Sequence, residues 1–324
     1  MTDARGAGHG KAILVGEHHV LDGATALAIG LPWFRTDVTL ARSGAGPLTL
    51  DFDADTDLGG TWAGDTRQML AKACTLAGLD GQVTVAIRSN VPLGRGLGSS
   101  AALAVAAVRA AHRLARGAAP EGADLLADAR EVECIVHGRS SGLDPAAAAG
   151  TGAVLFRGGG ILDRLAISAT PALLAARWVL LDLGVAASTR TAIEAAQSAR
   201  SRLGPDAVRR LRERTTTAAT VAAAALEKGD VDALAEALTT AGACLEPLGV
   251  VDAAMRMVLD AAVGAGARAA KQTGAGMGGM LLALCADAGA AERVRATTKR
   301  LTAGQWVLAV AADPAAPGTD QERP

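Results

Sequence analysis

Residues 90–105 read NVPLGRGLGSSAALAV: a proline, three glycines at alternate positions (Gly94, Gly96, Gly98), two serines, then an unbroken apolar run. A chain that sets its most permissive backbone directly against one of its best helix-forming stretches has few ways to fold there. The glycines can take φ > 0 and let backbone approach another group closely. The run that follows predicts a helix to about Arg116, and Ser99 or Ser100 can cap it. Such a junction places backbone N–H groups at the positive end of a helix dipole, which is where an anion binds. This is not a Walker A loop, because no Gly-Lys-Ser/Thr follows, nor does it have the spacing of a dinucleotide fingerprint. Counting glycines alone, a tight strand-to-helix turn in a glycine-rich chain fits as well. The Pro-x-x-x-Gly-Leu-Gly-Ser-Ser-Ala-Ala spelling is far more specific than the count.

The chain has 324 residues, enough for two domains and a large core. Aromatics make up 2% with no tyrosine, so the core must be built from Ala, Leu and Val. Net charge is −1, and no basic stripe with interleaved aromatics appears, which argues against a nucleic-acid partner. The cysteines at 74, 134, 244 and 285 are far apart and form no Cys-x-x-Cys pair; free thiols in a reducing compartment are expected. The N-terminus lacks an apolar core of signal-peptide length, and no window of about 18 residues is apolar without charges. These features predict a cytoplasmic protein with no membrane partner.

Along the chain, GKAILVGEHHVLDGATALAIGLP suggests short β-rich pieces broken by glycines, and TDVTLARSGAGPLTLDF alternates like a hairpin. DTRQMLAKACTLAGL fits a helix, QVTVAIRSNV a strand, and EGADLLADAREVECIVHG a further helix. SGLDPAAAAGTGAVLFRGG predicts a turn leading into a strand, and ARWVLLDLG a buried strand. From Ser188 to about Gly264 the pattern is mostly helical. A glycine turn and strand (KQTGAGMGGMLLALCAD), a last helix and a last strand complete it. The change from mixed to helix-rich sequence places a domain boundary near residue 185: residues 1–184, then 185–313. The tail, 314–324, is Pro- and charge-rich and predicted disordered. The mixed order of elements implies α+β rather than a doubly wound sheet.

Two further segments carry polar groups among glycines. GKAILVGEHHVLDG holds Lys11, Glu17 and His18; lysine is scarce, five of the 32 basic residues, so a compact point charge at Lys11 is informative. Its bland alternative is a solvated strand end with His18 and His19 on the surface. KQTGAGMGGMLLAL, residues 271–284, has glycines at 274, 276, 278 and 279 before an apolar strand. It is either a plain hairpin loop or a second backbone wall packed against the first glycine loop. GRSSG, residues 138–142, matches a Gly-x-Ser-x-Gly nucleophile elbow with Ser140 as nucleophile. That elbow needs a strand before it and a histidine after it. A helical pattern precedes it, and His9, His18, His19, His112 and His137 all lie upstream, so a hydrolase fails the order test.

Taken in this order and spelling, the segments resemble the small-molecule kinases that include galactokinase, homoserine kinase, mevalonate kinase and phosphomevalonate kinase. The resemblance runs from Lys11 to about Leu284. GKAILVGEHHVLDG looks most like the mevalonate kinases, since galactokinases carry an acidic residue soon after the Glu-His pair, where this chain has His19-Val20. EVECIVHGRSSGLDP strengthens the likeness through its Glu, His-Gly and Ser-Gly-x-Asp spacing, and LDLGVAASTRTAI resembles the next signature.

The resemblance implies a two-domain α+β fold. An N-terminal α/β domain would carry the phosphate loop, a ferredoxin-like α+β domain would follow, and the site would lie in the cleft between them. It implies ATP-dependent, Mg²⁺-assisted phosphoryl transfer to the primary hydroxyl of mevalonate. Asp144 would be the base and Lys11 would hold it ionised. Ser100 and Glu133 would hold Mg²⁺; Glu131 competes for that role, and spacing to His137 and Asp144 favours Glu133. ATP would lie against Pro92, Gly94, Gly96, Leu97, Gly98, Ser99, Ser100 and Ala101, backed by Gly274, Ala275 and Gly276. Glu17, His18 and Thr189 would contact the acceptor. A homodimer is compatible with the resemblance, since family members often form one. Other acceptors in the family (phosphomevalonate, or mevalonate at its 3-hydroxyl) and a non-catalytic regulator that keeps the fold are the alternatives. A phosphorylated acceptor would call for an Arg cluster drawn from Arg35, Arg139 and Arg190. The chain departs from the family pattern at Asp22, Gln272, Met277 and Met280.

Overall fold

The computed structural model describes residues 3–52, 62–185 and 189–311; the tail expected to be disordered lies outside them. The chain forms two compact units, each assembled from several stretches. One comprises Met1–Lys11, Gly30–Pro92 and Gly98–Thr151, the other Ala12–Ile29, Leu93–Leu97 and Gly152–Pro324.

In chain order, the first elements are β1 (Asp3–Val15), β2 (Ala26–Gly44), β3 (Thr49–Phe52), α1 (Trp62–Ala77), β4 (Gln82–Ser89), α2 (Ser99–Arg116), α3 (Gly122–His137) and α4 (Leu143–Ala148). In the first unit β4 lies between β3 and β2, parallel to β3 (Leu50↔Val83) and antiparallel to β2 (Leu40↔Val85). The expected hairpin over TDVTLARSGAGPLTLDF is therefore corrected: its two strands do not pair with each other. Alternation fixed which faces of these strands are buried, but it carries no information about the partner, and β4 takes the place between them. Val38, Leu40, Val83 and Val85 point to one face, where Met69, Leu70 and Ala73 of α1, the alanines of α2, and Leu125, Ala129 and Val132 of α3 close the core.

The β-rich pieces expected over residues 10–32 are broken at Gly16 and Gly23, at φ 108° and 83°, while β2 runs on through Gly30. β1 runs unbroken through Gly6, Gly8 and Gly10. A Cβ at Gly6 would lie 2.0 Å from the Ala106 carbonyl oxygen, and one at Gly8 would lie 2.1 Å from that of Ala102. Gly6 and Gly8 let this strand press backbone to backbone against α2, whose facing residues are alanines four apart. Alanine suits this contact because it is the best helix former and adds no side-chain bulk.

The second unit continues with β5 (Ala153–Arg157), β6 (Gly160–Leu165), α5 (Pro171–Ala175), β7 (Arg177–Asp182), α6 (Thr189–Leu203), α7 (Pro205–Lys228), α8 (Val231–Leu245), α9 (Ala253–Gly264), β8 (Ala269–Thr273), β9 (Met280–Cys285), α10 (Ala288–Thr298) and β10 (Gly304–Ala309). β5 and β6 form a hairpin against the start of β2 (Ala26↔Phe156). β7 to β10 make an antiparallel sheet in the order β10-β7-β9-β8. Numbered within this sheet, that is 4-1-3-2 with helices after its first and third strands, the ferredoxin-like arrangement. All six residues of β9 are buried, which explains its continuous apolar run in the sequence. Val179, Leu181, Leu281 and Ala283 pack on Met255, Val258 and Ala262 of α9 and on Ala290, Ala291 and Val294 of α10. The four cysteines are free. Among the described residues no helix is long and apolar enough to cross a membrane.

Candidate active site

The loop between β4 and α2 holds Gly94, Gly96 and Gly98 at φ of 67°, 85° and 75°, each in the left-handed region that a side chain disfavours. α2 begins at Ser99 with Gly98 as its N-cap, so neither serine caps the helix as the sequence suggested. The left-handed N-cap selects glycine, which has no side chain to occupy the first-turn N–H groups, and these stay available to an anion. Arg95, between two of the glycines, pairs at 3.6 Å with Asp182 at the end of β7. Pro92 precedes the glycines, the buried Leu97 lies between the last two, and Ser100 and Ala101 are buried in the first turn of α2.

In the first unit, β1 ends its stretch at Lys11, whose ammonium lies 3.0 Å from Asp144 Oδ2. The lysine side chain is 2% exposed and the aspartate 31%. A Cβ at Gly98 would come within 2.7 Å of Lys11 Cγ, so the missing side chain there is what makes room for the lysine stem. Asp144 sits in the first turn of α4, a six-residue helix that replaces the plain turn expected before β5. Lys11 is therefore no solvated strand end.

Glu133 is buried, whereas Glu131 is exposed and paired with Lys72. Ser140 Oγ donates a hydrogen bond to Glu133 Oε2 and accepts one from Gly142 N–H. Ser140 follows a helix and is spent on Glu133, in agreement with the rejection of the hydrolase elbow. Burial pushes the Glu133 carboxyl up to about 8; the nearby Asp144 charge adds to this, and the Ser140 hydrogen bond and Lys11 oppose it. Glu133 and His137 are four apart on α3 and share a face. Ser100 Oγ is hydrogen-bonded to His137 Nε2 at 3.0 Å, which brings α2's first turn to that same face.

Two carboxyl groups lie near one ammonium, and a bound cation would favour the ionised form of Glu133. Glu133 and Ser100 are hard oxygen donors, the kind Mg²⁺ takes, so the residues present fit that ion. Among the described residues no three His, Cys, Asp or Glu side chains converge as a closed metal site. Glu133 also predicts a pH effect. A carboxyl raised from 4.5 to about 8 on folding gives stability that is complete below the lower value and lost as pH rises through the upper one. The metal-free protein should lose about 3–6 °C of Tm between about pH 5 and pH 8 relative to Glu133→Gln. Parallel melting curves for the two proteins would contradict it.

In the second unit the turn after β1 holds Glu17, His18 and His19, all buried. Glu17 is ion-paired with Lys271 of β8. His18 Nε2 lies 2.7 Å from the Ala275 carbonyl oxygen and His19 Nε2 3.0 Å from that of Cys244. A carbonyl only accepts, so both Nε2 atoms carry the proton. Burial pulls the His18 imidazole down to about 4 and lowers His19 too, so both are neutral at pH 7. The surface alternative for these histidines is thereby overturned. Asp22, a departure from the family pattern, pairs with Arg200 of α6 at 2.6 Å. Thr189 is the first residue of α6 and half-buried.

The glycine turn after β8 joins it to β9 as a hairpin and also meets the first glycine loop. A Cβ at Gly96 would be 2.9 Å from the Thr273 carbonyl oxygen, and one at Gly274 would be 3.2 Å from that of Gly96. Both readings of KQTGAGMGGMLLAL thus hold at once. Sequence reasoning missed Lys271, His137 as partner of Ser100, and Ser140 as partner of Glu133. The scarcity of lysine that drew notice to Lys11 applies equally to Lys271, the other fully buried lysine among the described residues.

Residues 66–152 match the model of the GHMP kinases N terminal domain, and 222–300 that of the GHMP kinases C terminal domain. The chain belongs to the GHMP kinase family. It is 32% identical to a mevalonate kinase of Aeropyrum pernix over 87% of this chain and 88% of that one. It is 30% identical to a mevalonate kinase of Pyrococcus horikoshii over 85% and 86%. Its fold resembles that of the L. major mevalonate kinase crystallised with R-mevalonate, with a TM-score of 0.76 at 24% identity, covering 95% of this chain and 97% of that one.

Proposed function

We propose that this kinase transfers the γ-phosphoryl group of ATP to the primary hydroxyl of mevalonate, giving 5-phosphomevalonate, in the cytoplasm. The likeness to mevalonate kinases along most of the chain supports the acceptor, and the Lys11–Asp144 pair carries the chemistry. Phosphoryl transfer asks for positioning and charge stabilisation more than for covalent catalysis. Asp144, ionised beside Lys11, accepts the proton of the attacking hydroxyl. Lys11 stabilises the charge that develops on that oxygen. The backbone N–H groups of Gly96, Leu97, Gly98 and Ser99 cradle the phosphates, with Gly274, Ala275 and Gly276 behind the loop. The Glu17–His18 turn and Thr189 serve the acceptor.

Glu133 and Ser100 would hold Mg²⁺, which neutralises charge on the β- and γ-phosphates when bound. Ser100→Ala is expected to raise KM for Mg·ATP about tenfold while KM for mevalonate changes less than about threefold, as read in steady-state assays. An equal rise in both would argue against the metal role. A phosphorylated acceptor is less well served: Arg35 is held by Asp37 at 2.7 Å, and Arg139 and Arg190 are exposed. Incubation with Mg·ATP and mevalonate, followed by NMR of the product, should locate the phosphate on O5. Phosphate on the 3-hydroxyl would replace this reading with the other regiochemistry.

A further inference from the structure

We propose that Lys271 is a positioning residue for the acceptor: its ion pair with Glu17 locks the Glu17–His18 turn onto the glycine hairpin that backs the phosphate loop. This rests on the reading of that turn as the acceptor's. Lys271 and Glu17 are 0% and 1% exposed in their side chains. The ammonium also donates to the carbonyl oxygens of Gln272 and, at 3.5 Å, Ile13. Two further bonds lie beside it: Ile13 N–H to Thr273 Oγ1 at 2.8 Å, and His18 Nε2–H to Ala275 O at 2.7 Å. Four consecutive connections thus tie residues 13–18 to residues 271–275.

The turn they hold is strained. His18 has φ 56°, a left-handed value for a residue with a Cβ, and Gly16 has φ 108°. Such conformations persist only where surrounding contacts over-determine them. An apolar pair of the same size would hold the core at least as well as a buried ion pair, which must overcome its own desolvation. What the ion pair adds is direction: one ammonium reaches one carboxylate in one register, and the turn follows. The hairpin meets the phosphate loop through the backbones of Thr273, Gly274 and Gly96. Loss of Lys271 should therefore act on the acceptor and spare the nucleotide.

The test compares wild type, Lys271→Met, Glu17→Met and the double variant by melting temperature and by separate KM values for mevalonate and ATP. Each single variant strands a buried charge and should lower Tm by several degrees, and the double variant should recover most of that loss. The double variant should still show a mevalonate KM raised at least about tenfold, with ATP KM within about threefold of wild type. A wild-type mevalonate KM in the double variant, or equal rises in both KM values, would overturn the proposal and leave the pair a purely structural one. Should the apolar pair not fold, Lys271→Gln, which keeps a donor for the carboxylate, decides the matter by the same split. Absence of turnover in the wild type would indict the acceptor reading instead, before any variant is compared.

Discussion

Asp144→Asn should lower kcat roughly 10²- to 10⁴-fold, the usual contribution of a positioned general base. The substitution keeps the shape and removes the capacity to take a proton. Little else should change. Asp144 is 31% exposed, so its replacement by a neutral amide of the same shape disturbs little packing. Tm should stay within a few degrees of wild type and ATP affinity within a few-fold. One side effect is specific: the Asp144 charge helps push the Glu133 carboxyl upward, so its removal should move the Glu133 titration down. A variant with near-wild-type kcat would show that the hydroxyl proton leaves by another route.

Lys11→Met should cost about 10²- to 10³-fold in kcat, comparable to removing one preorganised electrostatic donor. The ammonium lies 3.0 Å from Asp144 and also opposes the upward shift of the Glu133 carboxyl, so its loss removes positive charge from both. Lys11→Arg should not rescue. The lysine stem is 2% exposed and lies tightly along Gly98, and a guanidinium fork is wider and differently hydrated than an ammonium. Steady-state kinetics on both variants checks this, and full activity in Lys11→Arg would mean that any positive charge suffices.

The parts of the fold that sequence revealed are those in which local chemistry decides. The glycine loop, the extent of α2 to Arg116 and the strand over residues 82–89 follow from glycine spacing, alanine propensity and strict alternation, and each was legible. Partners were not. β3 alternates as a hairpin strand would, yet pairs with β4. Nothing local shows why β1 carries Gly6 and Gly8; their reason, the approach of α2, lies about a hundred residues away in sequence. The site divides in the same way. Lys11 and Asp144 were paired by resemblance and do meet, and burial separates Glu133 from Glu131. Lys271 went unassigned because its partner is 254 residues upstream, and a buried ion pair leaves no periodicity to read. The helical pattern before Ser140 and the missing downstream histidine sufficed to reject a hydrolase elbow there, but the engagement of its hydroxyl by Glu133 left no local trace.

The most direct measurement is ADP release with Mg·ATP against four acceptors: mevalonate, 5-phosphomevalonate, galactose and homoserine. Turnover with mevalonate, abolished in Asp144→Asn and absent with the other three, is the predicted result. Turnover with a different acceptor would keep the family and the Lys11–Asp144 chemistry but contradict the substrate. ATP binding without turnover on any of the four would contradict the proposed reaction itself and point to a regulator that kept the fold.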